Sequence, residues 1–322
     1  MRLSLRSLAA GAAAAAILSA GAAFAAAELP KNLAVTAYDV GSSGYSQAVA
    51  VGAAFKNNLG VTLRVLPGKN DVSRMVPLRE GKVDFSFNGI GTYFSQEGVD
   101  VFGTQEWGPQ DARVLLTSMG DNCATQHVAA DAGVKTLADL KGKRVSVGAP
   151  RSGTELNARA VLKAAGLSYQ DLGKVEYLPF GESVELIKNR QLDATLQSAG
   201  LGVASIRDLA TSVKIVVVPV PADVIAKSGD PAYQGMTIPA GTYEGQDADV
   251  PTTAVNNFLV SHSGVSDEIA YKMTKALFEH LDQMVSAHSA AKSIRLEKAL
   301  AGMPLPLHPG AEKFYREKGI LK

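Results

Sequence analysis

Two stretches of this chain carry the same layout at the same spacing, and that echo narrows the fold more than any other feature. In the first, an extended run at 33–38 leads into a Gly/Ser loop ending Ser43-Gly44-Tyr45. A helix follows, and a basic turn, Arg79-Glu80-Gly81-Lys82, opens a strand that leads to Asn88-Gly89. In the second, a run at 144–148 leads into a loop ending Ser152-Gly153-Thr154. A helix follows, and Lys188-Asn189-Arg190 opens a run that leads to Gln197-Ser198. Ser43 to Asn88 spans 45 positions, and so does Ser152 to Gln197. The match predicts two α/β lobes of like topology, each with a Ser-Gly turn at a helix start and an amide at a strand end. Open α/β sheets bind ligands beyond the carboxyl ends of their strands, so two such lobes facing each other enclose one site.

The remaining pattern agrees. β-branched runs at 33–38, 61–66, 83–87, 114–118, 144–148, 175–180, 192–196 and 214–220 read as strands. Between them lie stretches of helical spacing. Ala48, Val51 and Phe55 share one face, and Leu156, Ala160 and Ala164 share another that stops at Gly166. Strands alternating with helices predict mainly parallel sheets flanked by helices. Toward the C-terminus, 252–261 reads as one further strand. Ser266 then caps a long helix whose buried stripe is Ile269, Met273, Ala276, Leu277, Leu281 and Met284, and a short charged helix at 312–318 closes the chain.

The N-terminus reads as an export signal. Arg2 and Arg6 precede an Ala-rich apolar run at 8–20, and Ala23-Phe24-Ala25 offers small residues at a cleavage site. The run is too short for a membrane anchor and no lipid-bearing Cys follows it. The expectation is a signal peptide at 1–25 and a mature protein of about 297 residues acting in the periplasm. The single cysteine, Cys123, excludes an internal disulfide; it is either a small buried apolar residue or a reactive thiol. A net charge of +1 with both signs mixed along the chain gives no nucleic-acid footprint.

The loop Gly148-Ala149-Pro150-Arg151-Ser152-Gly153-Thr154 joins a strand to a helix, and the first N–H groups of that helix favour an anion. Ser152 and Thr154 add hydroxyls, and Arg151 adds a group able to pair with a carboxylate. Two readings stand: a ligand anion binds there, or Ser152 and Glu155 close a capping box on the same N–H groups. The loop Gly41-Ser42-Ser43-Gly44-Tyr45 repeats the chemistry in the other half. Neither loop is a phosphate-binding P-loop, because Thr154 stands where Lys is required. No Gly-x-Ser-x-Gly elbow lies between a strand and a helix, and the five histidines show no metal-binding pair. No catalytic residue, metal or cofactor is therefore expected. His127 lies close to a lobe crossing and is a candidate ligand contact. Tyr45, Phe87 and Tyr93 are either cleft walls or core, and Trp107 reads as a surface or inter-lobe packing residue.

Several blocks resemble one known family. They are Thr136-Leu137-Ala138-Asp139-Leu140-Lys141-Gly142-Lys143-Arg144-Val145-Ser146-Val147-Gly148, Ile238-Pro239-Ala240-Gly241-Thr242-Tyr243, and Pro304-Leu305-Pro306-Leu307-His308-Pro309-Gly310-Ala311. The chain is similar to the TAXI group of solute-binding receptors of TRAP (tripartite ATP-independent periplasmic) transporters. The resemblance implies a type II periplasmic-binding-protein clamshell, with lobe 1 formed by 28–123 and 258–322 and lobe 2 by 124–257. It implies a monomer that closes on a small carboxylate-bearing solute, glutamate-like or a dicarboxylate, and docks on a TRAP permease. Carried over, the ligand residues are Ser42, Ser43, Gly44, Tyr45, Asn88, Arg151, Ser152, Gly153, Thr154 and Gln197. The family usually has Gly where Arg151 stands, which suggests that Arg151 adds a salt bridge to a second carboxylate. The alternative receptor reading is one serving an ATP-driven (ABC) importer. A periplasmic enzyme lacks a visible nucleophile or metal cluster. A regulator's effector domain would need a DNA-binding helix pair in place of the signal.

Overall fold

The computed structural model describes residues 29–104, 112–117, 124–130, 133–228, 233–300 and 305–322. The signal expected at 1–25, Trp107, Cys123 and Pro304 lie outside them. The first half runs β1 (Asn32–Ala37), α1 (Ser43–Leu59), β2 (Thr62–Pro67), α2 (Asp71–Arg79), β3 (Phe85–Asn88), α3 (Gly91–Glu97) and β4 (Ala112–Thr117). Next come β5 (Ala124–Ala129), β6 (Arg144–Ser146), α4 (Gly153–Ala164), β7 (Lys174–Glu176), α5 (Phe180–Lys188), β8 (Ala194–Ala199), α6 (Ala204–Ser212), β9 (Val216–Val218) and α7 (Ala222–Ser228). The last part holds β10 (Gln234–Ile238), β11 (Val250–Ala254), β12 (Phe258–His262), α8 (Asp267–Glu279), α9 (Leu281–Ala287) and α10 (Pro309–Glu317). Among the described residues no helix is long and apolar enough to cross a membrane.

The strands form two sheets. One has the order β2-β1-β3-β12-β4; the other has β10-β11-β5-β8-β6-β7, with β9 paired to β5. The echo in the sequence becomes a topological echo. β1 lies parallel between β2 and β3, as β6 lies parallel between β7 and β8. In each sheet an antiparallel strand follows, β12 beside β3 and β5 beside β8. The sheets are therefore mixed, not mainly parallel. The parallel strands are those joined by helical crossovers, whereas the strands by which the chain changes sheets enter antiparallel.

That change of sheet also corrects the single strand expected at 252–261. β11 belongs to one sheet and β12 to the other, and Val255-Asn256-Asn257 carries the chain between them. The run 175–180 is strand only at its start, because Phe180 opens α5 behind Pro179. β5 was not anticipated, since its Thr125-Gln126-His127 centre lacks a strand's apolar alternation although every residue is buried.

Helices cover both faces of each sheet. Ala48, Val51 and Phe55 of α1 pack with Met273, Ala276 and Leu277 of α8 and with Phe314 and Tyr315 of α10 on one face of the first sheet. Met75, Leu78, Phe102 and Val260 fill its other face. The long helix expected after Ser266 breaks at His280 (φ −123°, ψ 30°), and the second piece still brings Met284 onto the same core. In α4 the buried stripe is Ala158, Val161 and Leu162, with Ala160 and Ala164 only half-buried, so the expected apolar face is rotated toward the second sheet.

Candidate functional site

Each of the two matched loops places a serine at the start of a helix. Ser42 caps α1, its hydroxyl accepting from the Tyr45 N–H at 3.1 Å, and Ser152 caps α4, accepting from Glu155 N–H at 3.2 Å. This is the local role that capping serines play. The reciprocal half of the box at Ser152 does not form. Glu155 turns instead to Arg159, at 2.6 Å, and to the Tyr169 hydroxyl, at 3.0 Å. Gly148 is required beneath the second loop. It sits at φ +93°, and a Cβ there would lie 2.5 Å from Cγ2 of Thr154.

The two helix starts face each other across a small cavity of about 50 Å³ whose wall is mostly apolar, with a few polar groups set into it. Ser42, Ser43 and Gly44 line it from one sheet, and Gly153, Thr154, Asn157 and Ser198 from the other. Arg74, Tyr38, Phe87 and the crossing residues Val255 and Asn257 complete the wall. A cross-sheet hydrogen bond runs beside the cavity, from Gly200 N–H to the Ser43 hydroxyl. On the far wall the Asn157 amide donates to Ser198 Oγ at 2.9 Å and accepts from the Tyr233 hydroxyl at 2.9 Å.

The strand-end amides lie immediately behind this wall. Phe87 and Gly89 line the cavity on either side of Asn88, and Ser198 follows Gln197. Each amide uses its oxygen locally: Asn88 Oδ1 accepts from Gly89 N–H at 2.9 Å and Gln197 Oε1 from Ser205 at 2.6 Å. Each leaves its NH₂ buried without a hydrogen-bond partner among the described residues. A buried donor of this kind costs stability unless something accepts from it.

Three expected contacts fall elsewhere. Tyr45 points back into the core of its own lobe, because the first turn of α1 carries it past the cleft. Arg151 adopts φ +60°, which turns its exposed side chain away from the cavity to donate to the Val101 carbonyl at 2.8 Å. His127 is buried within the second sheet, opposite Leu196 and Val218, rather than in the cleft. Tyr93 is also exposed and off the cavity.

The charged pair at the site is one the sequence reading missed. Asp71 and Arg74, three apart on α2, are both buried and in contact. The Arg74 guanidinium also donates to the Phe87 carbonyl at 2.7 Å and lies 5.2 Å from the Tyr38 ring centre. Burial raises the Asp71 carboxyl above its ordinary range, against the opposing pull of Arg74 and the Gly153 N–H. Burial likewise pushes the Tyr38 phenol up to about 12, opposed by Ser152 and Arg74, so it remains a neutral donor. The one local signal was a good helix start at Asn70-Asp71, and it says nothing of the cleft. Among the described residues no cluster of His, Cys, Asp and Glu is placed to hold a metal.

The fold has known counterparts. The phosphonate protein PhnD1 of Prochlorococcus marinus, solved with methylphosphonate, matches over 91% of this chain and all (100%) of its own, at 13% identity and a TM-score of 0.55. An ancestral arginine-binding protein bound to arginine matches over 81% of this chain and 97% of its own, at 17% identity and a TM-score of 0.51. The periplasmic aliphatic sulphonate binding protein SsuA of Escherichia coli matches over 91% and 95%, at 16% identity and a TM-score of 0.48. At these identities the likeness is one of fold, the two-lobed α/β fold of periplasmic binding proteins. The model of the NMT1-like family matches residues 36–319, nearly the whole described chain, and the protein belongs to that family.

Proposed function

We propose that this protein is a non-enzymatic receptor, exported by the signal at 1–25, that captures a small carboxylate-bearing solute between two lobes. The lobes are 28–123 with 258–322, and 124–257. The observation that carries this reading is the convergence of two serine-capped helix starts, from opposite sheets, on one cavity beside the Ser43–Gly200 hydrogen bond. Helix N-termini favour anions, and the start of α1 lines the cavity, while the Gly153 N–H of α4 already donates to Asp71. The fold relatives named above hold arginine and methylphosphonate, both of which carry an anionic group. A solute touching both lobes selects the closed state by its differential affinity for it.

Two delivery routes follow from this reading. The blocks at 136–148 and 304–311 resemble receptors of TRAP permeases, driven by an ion gradient. The family and fold matches fit the receptor of an ATP-driven importer at least as well, and we favour that partner. Uptake into inner-membrane vesicles supplied with the receptor separates the two: dependence on ATP supports the importer, and uptake driven by an imposed ion gradient alone supports the TRAP permease.

The receptor reading itself is tested by a thermal-shift screen of amino acids and small mono- and dicarboxylic acids. A bound solute at a hundredfold its Kd raises stability by about 2.7 kcal/mol. A screen in which no carboxylate raises the midpoint would count against the reading.

A further inference from the structure

The start of α4, one of whose two readings from sequence is a seat for a solute's anion, is filled by the protein itself. Asp71 opens α2 in the first lobe, and its side chain is fully buried. Its Oδ1 accepts from the Gly153 N–H, at the start of α4 in the other lobe, at 3.1 Å, and contacts the Arg74 guanidinium. Its Oδ2 is buried with no hydrogen-bond partner among the described residues. Glycines on both sides make the fit. A Cβ at Gly91 would fall 2.0 Å from Oδ2, and one at Gly153 would fall 3.3 Å from it. The Asp71 N–H also donates to the Arg151 carbonyl at 3.3 Å, so backbone and side chain both cross from one lobe to the other.

One helix start neutralises about half a charge, so it favours one anion and not two side by side. Arg74 lines the cavity and gives N–H groups to Asp71, to the Phe87 carbonyl and to the Asn70 carbonyl. A guanidinium has five N–H donors, so it also has capacity for a solute carboxylate. A second solute carboxylate would compete with Asp71 for the Arg74 guanidinium and would meet the ion-paired Asp71 carboxylate, whose own Oδ2 is already unsatisfied, at close range, where like charges disfavour each other.

We propose that Asp71 sets the charge of the accepted solute: by filling the anion seat of α4 and pairing with Arg74, it restricts the cleft to solutes with a single carboxylate and excludes dicarboxylates. The proposal rests on the carboxylate-receptor reading and narrows it.

The test uses matched pairs that differ by one carboxylate, glutamine against glutamate and succinamate against succinate. Binding is measured by calorimetry on the wild-type protein, on Asp71→Asn, which keeps the shape without the charge, and on Asp71→Gly, which empties the seat. The wild type is expected to prefer the amide of a pair by about tenfold or more, and the variants to shrink that ratio by about tenfold. A wild-type preference for the dicarboxylate, or a ratio unchanged in both folded variants, overturns the role given to Asp71 and leaves the receptor reading standing. If none of the folded proteins binds any of the four compounds, the carboxylate reading falls and takes this proposal with it.

Discussion

The Ser43 hydroxyl, in the first turn of α1, accepts a hydrogen bond from the Gly200 N–H, just past the end of β8, at 3.0 Å. The two residues are 157 positions apart and sit beside opposite sheets, so on the receptor reading proposed above the bond forms as the cleft closes. A neutral hydrogen bond contributes about 0.5–1.5 kcal/mol. Ser43→Ala is therefore expected to weaken solute binding by about threefold to tenfold, chiefly through faster release. Stopped-flow dissociation of the tightest solute from the screen checks this, and an unchanged release rate would remove Ser43 from the closing contacts.

The helix starts were legible because their chemistry is local. Ser42 and Ser152 cap the turns they precede, and Gly44, Gly153 and Thr154 follow in sequence. The amides were legible in position through the 45-residue echo, yet their neighbours make the wall, since successive strand side chains face opposite ways. Arg151 misled because its side-chain direction depends on a left-handed φ that nothing in the residue name signals. Asp71 and Arg74 were invisible because the contact that gives them meaning joins Asp71 to Gly153, 82 positions away. The crossing at Val255-Asn256-Asn257 was read through as strand because two strands of different sheets abut there in sequence.

Gly91 provides the clearest test of the fit around Asp71. A methyl group there would meet Asp71 Oδ2 at 2.0 Å and its Cγ at 2.5 Å. Overpacking of this kind costs about 1–3 kcal/mol. Gly91→Ala is expected to lose that much in urea unfolding, and most of the loss should disappear in an Asp71→Gly background, where the clashing carboxylate is gone. Additive losses in the double-mutant cycle would show that the two positions are uncoupled.

The His308-Pro309-Gly310 stretch, one of the blocks carrying the family resemblance, has a structural account. His308 caps α10, with Nδ1 accepting from Gly310 N–H at 3.2 Å and Nε2 within 2.8 Å of the Val265 carbonyl. Gly310 lets α10 lie directly on α8: a Cβ would stand 2.1 Å from the Asp267 carbonyl oxygen and 2.7 Å from the Tyr271 nitrogen. Backbone atoms cannot swing aside as a side chain can. Gly310→Ala should cost about 3 kcal/mol by displacing Phe314 and Tyr315 from the core. Gly181→Ala, in α5 with nothing within 4 Å, should be neutral or slightly stabilising. Equal thermal midpoints for the two variants would contradict the close approach of α10 to α8.

His127 predicts how the fold responds to acid. It is buried in β5, and burial pushes its imidazole down to about 4, outweighing the contrary effect of the Thr125 backbone. The folded chain thus keeps the ring neutral down to about pH 4, whereas the unfolded chain protonates it near the ordinary 6.5. Between those values the unfolded state binds the extra proton, so stability falls as pH falls. The contribution is whole above about 6.5, and between pH 7 and pH 5 about 2 kcal/mol of it is lost, at 1.36 kcal/mol for each unit of pH below 6.5. Replacing the ring by an apolar side chain, as in His127→Leu, abolishes the titration. Urea unfolding of both proteins at a series of pH values gives a difference curve in which the carboxylates common to both cancel. That curve should be flat above pH 7 and bend by about 2 kcal/mol toward acid, with the wild type losing more. Parallel curves across the whole range would mean that His127 protonates equally in both states and is not buried as the structure places it.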